Sequence, residues 1–262
     1  MVDPRSVARV YIGADPRESD ALEVAADSML RRASVPVSLT PLMLRPLELA
    51  GLMRRPRRAL GKGNPMVIVE GRVTRRVTTA AQCGTLWDEI SAAPMSTEFA
   101  ISRFLTPLLA HHGWALFIDC DVVFLADVAE LFALADPEFA VMCVHHGVLD
   151  ASGTKMDGQV QLPYVRKNWS SVMLFNCDHP ANKGLTLDLI NRAAGRDLHR
   201  FCWLDDRWIG RLPGEWNWLV GVQPRPAAPK LAHFTLGGPW LPNWSPREHD
   251  DIWRAAKAAL RA

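Results

Sequence analysis

The stretch Phe117-Ile118-Asp119-Cys120-Asp121-Val122-Val123 constrains this chain more than any other. Ala115 to Ile118 is apolar enough to read as a buried strand, and two carboxylates one residue apart stand at its carboxyl end. In open α/β sheets ligands bind at that end of the strands. Carboxylates beside a buried segment need a partner, and two so close together suit a hard divalent cation such as Mg²⁺ or Mn²⁺. The same triplet also occurs as a simple turn cap, so both readings stand at this point.

The opening of the chain supports an α/β sheet. Val7 to Ile12 is a β-branched run ending at Gly13, and Asp15-Pro16-Arg17-Glu18 reads as a helix start with Asp15 as cap, Pro16 at the first position and Glu18 reaching back. Leu22, Ala25, Ala26 and Met29 then share one helical face, and Val35, Val37 and Leu39 alternate as a strand does. From Thr40 to Ser96 prolines break every period, so residues 40–96 read as a variable excursion from a single domain spanning 1–262. Thr97 to His112 reads as a helix broken at Pro107, Asp127 to Leu134 as a short helix, and Phe139 to Val144 as a strand. A strand over Ser171 to Asn176, a helix over Leu185 to Ala194 and a short strand over Leu231 to Phe234 follow. Ser245-Pro246-Arg247-Glu248 has the pattern of a capping box opening a last helix.

Composition excludes several function classes. With 262 residues and a net charge of +2, the chain has no global field to recruit nucleic acid. The five cysteines form no C-x-x-C pair, which argues against a zinc knuckle or a disulfide framework and for reduced thiols in a cytoplasmic protein. No apolar run approaches the roughly 20 residues that span a bilayer, and residues 1–15 lack the pattern of a signal peptide. Basic charge is bunched locally: Arg54, Arg55, Arg57, Arg58 and Lys62, then Arg72, Arg75 and Arg76. That bunch is either a solvated loop or a patch for an anionic acceptor or the inner face of an anionic membrane.

Three further segments carry candidate chemistry. His233 ends a short strand before Gly237, Gly238 and Trp240, which fits a metal ligand beside a tight turn and equally a hydrogen-bonded core histidine. Asn168-Trp169-Ser170-Ser171 is a polar cluster running into a buried strand. Asp205-Asp206 either holds sugar hydroxyls or caps a helix through Ile209.

Taken in order, Gly13-Ala14-Asp15, Arg103, Asp119-Cys120-Asp121, Ser170-Ser171-Val172, Asp205-Asp206 and His233 to Trp240 resemble a nucleotide-sugar glycosyltransferase of the GT-A fold, most like glycosyltransferase family 8, the group of glycogenin and the lipopolysaccharide galactosyltransferases. The resemblance implies a Rossmann-like domain with a central mixed sheet flanked by helices. It implies Mn²⁺ (or Mg²⁺) held by Asp119, Asp121 and His233, and a UDP-sugar donor whose hexose passes, with retention, to a glycan or glycolipid. On the same ground Tyr11, Ile12, Gly13, Asp15 and Cys120 would face the nucleotide, and Gly237 and Gly238 the diphosphate. Ser170, Ser171, Asp205, Asp206 and Arg103 would border the reacting sugar, the last three as catalytic residues. Gly238 stands where the family often has a phosphate-binding Lys, so Lys155, Arg166 or Lys167 is expected to supply the positive charge.

Two other readings compete: a haloacid-dehalogenase-like phosphatase with Asp119 as nucleophile, and a binding module without turnover. Finally, eight of the 10 Trp follow residue 168. Trp169, Trp203, Trp208, Trp240 and Trp244 are expected to line a sugar cleft, and Trp216, Trp218 and Trp253 to fill the core.

Overall fold

The computed structural model describes residues 7–61, 65–69, 73–77, 84–147, 166 and 168–260. Strand β1 (Ala8–Ala14) leads through a 3-10 turn (Pro16–Glu18) into α1 (Ser19–Leu30) and on to β2 (Val37–Met43), the expected β–α–β opening. The Asp15 carboxylate accepts the Arg17 N–H as a cap should. Glu18 does not reach back; its carboxylate instead accepts the Cys120 thiol at 3.3 Å. The buried face of α1 is Ala21, Val24, Ala25, Ser28 and Met29, rotated from the one expected. The reason is a second contact surface. Val24 packs with Trp218 and Trp253, and the Ser28 hydroxyl accepts the Phe124 N–H at 3.0 Å while donating to Ala25 O.

The poorly patterned stretch holds α2 (Leu44–Leu49), the strands β3 (Arg57–Ala59), β6 (Leu86–Asp88) and β7 (Ala93–Pro94) of a small antiparallel sheet, and a hairpin of β4 (Pro65–Val69) and β5 (Val73–Val77). A buried ion pair within it positions the arginine that ties it to the rest of the molecule. Arg55 meets both oxygens of Asp88 at 2.9 and 2.6 Å and donates to the carbonyls of Ile190 and Ala193, both at 2.8 Å.

Pro107 opens α3 (Thr106–Ala110) rather than breaking a longer helix. A 3-10 turn precedes it, and the Arg103 carbonyl accepts the Thr106 hydroxyl at 2.8 Å. Then come β8 (Trp114–Ile118), β9 (Val122–Phe124), α4 (Val128–Phe132), β10 (Val141–Cys143) and β11 (Val172–Asn176). After α5 (Leu187–Arg192) and α6 (Gly195–His199) follow β12 (Ile209–Arg211), β13 (Trp218–Leu219), β14 (Leu231–His233) and α7 (Asp250–Ala259). The cap of α7 departs from the sequence reading. His249, at φ 71°, precedes the helix, and Asp250 turns back to accept the Arg247 N–H and the Trp244 indole N–H.

The central sheet has the order β12-β10-β11-β8-β1-β2 and is mixed, because β11 runs antiparallel to both of its neighbours. A second sheet, β13-β14-β9, carries its own small core of Val123, Trp218, Phe234 and Trp253. The chain crosses from the first sheet to the second between β8 and β9, which is where Asp119-Cys120-Asp121 lies.

Candidate functional site

Backbone hydrogen bonds fix this crossing at both ends. Asp119 N–H donates to Ser171 O at 2.9 Å, and Asp121 O accepts Phe234 N–H at 2.8 Å. The Asp119 and Asp121 carboxylates come together within 4.8 Å, while the Cys120 thiol turns to Glu18. Cys120 is fully buried against Glu18, and burial pushes its thiol well above the usual range. Its thiol donates to the Glu18 carboxylate, so a contact with a nucleotide would fall to its backbone.

Pairing of β14 with β9 sets His233 opposite Val122, directly beside Asp121. His233 Nε2 is 3.3 Å from Asp121 Oδ1, and the ligand atoms of Asp119, Asp121 and His233 all lie within 4.8 Å of one another. Behind them stands a buried relay. His233 Nδ1 meets Asn217 Oδ1 at 2.8 Å, Asn217 Nδ2 donates to Ser171 Oγ at 2.9 Å, and Ser171 Oγ donates to Asn168 O at 2.8 Å. The amide is oriented by its bond to Ser171, so its oxygen faces the imidazole. His233 therefore carries its proton on Nδ1 and presents the Nε2 lone pair toward Asp121. A histidine oriented in this way behind its ring is the usual preparation of a metal ligand.

Asp119 is held by Arg103, whose Nη1 lies 2.8 Å from Asp119 Oδ1 and also donates to Ser170 O at 2.8 Å. The guanidinium is buried over the rings of Phe99 and Phe117. Arg103 thus offsets one of the two negative charges and fixes one carboxylate. Ser170 completes this edge: its Oγ is 2.6 Å from His199 Nδ1.

Other expected residues are placed elsewhere or otherwise engaged. Ile12 is in the core. Tyr11 is buried, which pushes its phenol up, and its backbone is level with Phe117 in β8. Asp15 accepts four hydrogen bonds, three from Arg17 and one from Glu98 N. Its burial would raise the carboxyl, and those donors hold it below its ordinary value. A Cβ on Gly13 would lie 2.3 Å from the Phe99 ring, so this glycine serves the packing of Phe99. Likewise a Cβ on Gly238 would meet the Trp240 indole at 2.0 Å. Gly238 is covered by Trp240 rather than open to a diphosphate, while Gly237 takes the turn at φ 96°.

Asp205 and Asp206 precede β12 in a 3-10 turn, not a helix. Asp206 pairs with Arg166, which also donates to Arg200 O and lies over the Trp169 ring. Lys155 and Lys167 fall outside the described residues. The basic bunch is largely neutralised: Arg55 by Asp88, Arg57 by Glu48 and Arg58 by Glu89. Lys62 and Arg72 fall outside the described residues, as do the side chains of Arg75 and Arg76.

Of the tryptophans, Trp216, Trp218 and Trp253 are buried as expected. Trp169 is at the site, donating to His146 O and stacked on His145 at 3.9 Å. Trp203 instead bonds Asn182 and packs on Phe104 and Phe201, Trp208 packs on His179, and Trp240 packs on Phe234 and Trp253. Sequence reasoning missed Asn217, His146 and His199. A polar residue between two tryptophans, as in Trp216-Asn217-Trp218, was the available signal for the first. His146 is buried, and burial, with the charges of His233 and His145 adding to it, pushes its imidazole down to about 4.

Comparison with solved structures gives the class of fold. The glycosyltransferase GlyE of Streptococcus pneumoniae TIGR4 superimposes with a TM-score of 0.54 at 11% identity, covering 97% of this chain and 60% of that one. The bifunctional glycosyltransferase WbbM gives 0.56 at 16% identity, covering 97% and 50%. An active-site mutant of LgtC gives 0.51 at 11%, covering 96% and 95%. The fold is that of the GT-A-type glycosyltransferases, and this chain spans only about half to 60% of the GlyE and WbbM chains. By sequence the chain belongs to the family of Protein CDI of Arabidopsis thaliana, with which it is 41% identical over 251 residues, 94% of this chain and 84% of that protein. No protein-family model matches it. Among the described residues no helix is long and apolar enough to cross a membrane.

Proposed function

We propose that this chain is a metal-dependent glycosyltransferase that moves a sugar from a nucleoside-diphosphate donor, a UDP-hexose, to a glycan or glycolipid with retention. The observation that carries the reading is the convergence of Asp119, Asp121 and His233 within 4.8 Å at the carboxyl end of β8. The donor set fits a divalent cation: two carboxylate oxygens and one imidazole nitrogen with its lone pair exposed are the groups Mn²⁺ accepts. When bound there, a cation supplies charge stabilisation for the diphosphate leaving group.

The chain's own residues do the rest. Arg103 holds and orients Asp119, and Asn217 keeps the His233 lone pair turned to the site. Buried walls of Phe99 and Phe117 under Arg103 lower the local dielectric, which strengthens each of these interactions. The phosphatase alternative fits less well. Arg103 engages Asp119 Oδ1, and that mechanism gives no task to His233 or its relay.

The test is a binding screen of nucleotide sugars with and without Mn²⁺, repeated on Asp121→Ala. Binding that needs the metal and is lost in the variant, with its fold intact, supports the reading. Near wild-type turnover in Asp121→Ala, or a covalently phosphorylated Asp119, would overturn it.

A further inference from the structure

Beyond β10 the chain carries two adjacent histidines with different surroundings. His145 is stacked on Trp169, with Nε2 3.1 Å from Gly210 O. His146 is 6% exposed, and its Nδ1 faces Gln223 Nε2 at 3.2 Å. The Gln223 oxygen is turned the other way, toward Leu219 N at 3.5 Å, so the amide offers a hydrogen to His146. Nδ1 is therefore the acceptor, and the proton of the neutral ring sits on Nε2.

Among the described residues this buried Nε2 has no hydrogen-bond partner. Buried polar groups are almost always paired, and a donor left over at a functional site is where a ligand acceptor belongs. Gln223 bridges the ring to Leu219, and Leu219 is paired with His233 between β13 and β14, which puts the donor beside the Asp119–Asp121–His233 cluster. The anionic group that a cation on that cluster would neutralise is the diphosphate, whose oxygens are the acceptors nearest to hand.

We propose that His146 is a further substrate-binding residue, donating its Nε2–H to a diphosphate oxygen of the nucleotide donor. This rests on the glycosyltransferase reading. It assigns the binding surface a neutral donor from the segment after β10, distinct from the residues that hold the cation. Trp169 supports the placement: its indole N–H bonds His146 O and its ring stacks on His145, so the pair of histidines is clamped.

The experiment uses the full chain and calorimetry with UDP, GDP, ADP and dTDP, the matching monophosphates and the UDP-sugars, all with Mn²⁺. Binding of Mn²⁺ alone is followed by electron paramagnetic resonance. For the nucleotide that binds wild type, His146→Ala should weaken the diphosphate about 10- to 100-fold, as for a lost bond to a charged acceptor. The monophosphate and Mn²⁺ alone should be unaffected. His146→Gln, whose amide reaches the Nε2 position, should recover most of the loss. If His146→Ala does not fold, His146→Gln against His146→Leu asks the same question at similar volume. Unchanged diphosphate binding in a folded Ala or Leu variant overturns the proposal and leaves the glycosyltransferase reading standing. Loss confined to the nucleotide sugar moves the acceptor to a sugar hydroxyl and overturns the diphosphate assignment. If wild type binds no nucleoside diphosphate in the presence of Mn²⁺, both fall.

Discussion

Removing the Asn217 side chain should separate the folding role of the buried relay from the role we propose for it in holding a cation. Asn217 is fully buried and serves three partners, His233 Nδ1 at 2.8 Å, Ser171 Oγ at 2.9 Å and, more weakly, Asn168 O at 3.4 Å. Asn217→Ala leaves a donor and a hydroxyl buried without those bonds, at about 1–3 kcal/mol each. It also frees the imidazole to change tautomer, and lost support behind a ligating histidine typically weakens metal binding 10- to 100-fold. Asn217→Asp keeps the acceptor that His233 Nδ1–H needs, so it should hold Mn²⁺ within severalfold of wild type even though the bond to Ser171 is lost. Two readouts suffice: Mn²⁺ affinity by electron paramagnetic resonance, and urea unfolding with and without the metal. Where Mn²⁺ at 100 times its Kd stabilises wild type by about 2.7 kcal/mol, the same concentration should add only about 1.4 kcal/mol or less to Asn217→Ala. If Asn217→Ala loses stability but binds Mn²⁺ like wild type, or if Asn217→Asp binds as poorly as Ala, the tautomer argument is wrong.

Other perturbations test neighbouring features. Arg55→Met strands the Asp88 carboxylate at 2% exposure, so unfolding should become about 3–5 kcal/mol easier in urea; a change below 1 kcal/mol would show that water reaches the pair. Gly238→Ala must displace the Trp240 indole, costing about 1–3 kcal/mol and shifting tryptophan emission; an unchanged spectrum and midpoint would refute the packing described. His146 binds no proton in the folded chain until about pH 4, whereas the unfolded chain takes one near 6.5. The unfolded state therefore binds more protons between those values. Stability from this residue is full above pH 6.5 and falls by about 3 kcal/mol on the way down to pH 4. His146→Gln should flatten that part of the stability profile, and an equally steep profile in the variant would assign the loss to other groups.

What the residues disclosed and what they hid divide along physical lines. The strand ending in Asp119-Cys120-Asp121 was legible because burial and the carboxylate pair lie in one short window. The β–α–β opening was legible because each element carries its own period. His233 could be picked out as a strand-end histidine, but its partner could not: Asn217 reaches it through the pairing of β13 with β14, which no local pattern encodes. The pairing of Asp206 with Arg166 over the Trp169 ring is hidden for the same reason, since only the fold brings the three together. The rotated face of α1 reflects two packing surfaces where a single stripe of apolar residues was assumed. The ion pairs of Arg55, Arg57 and Arg58 were hidden because their acidic partners, Glu48, Asp88 and Glu89, lie apart from them in the proline-broken stretch.

The crossing between the two sheets has a consequence for synthesis. Strands β1, β2, β8, β10 and β11 are all complete by Asn176, so most of the central sheet is available early. Strand β9 is made along with them, but its partner β14 is translated only about a hundred residues later, roughly 5–20 s at ordinary elongation rates. Through that interval Val122–Phe124 is an apolar edge without its mate, and the two carboxylates wait for their histidine. A nascent chain stalled before residue 231 should therefore hold Mn²⁺ weakly and engage chaperones strongly, and both properties should change together once β14 emerges.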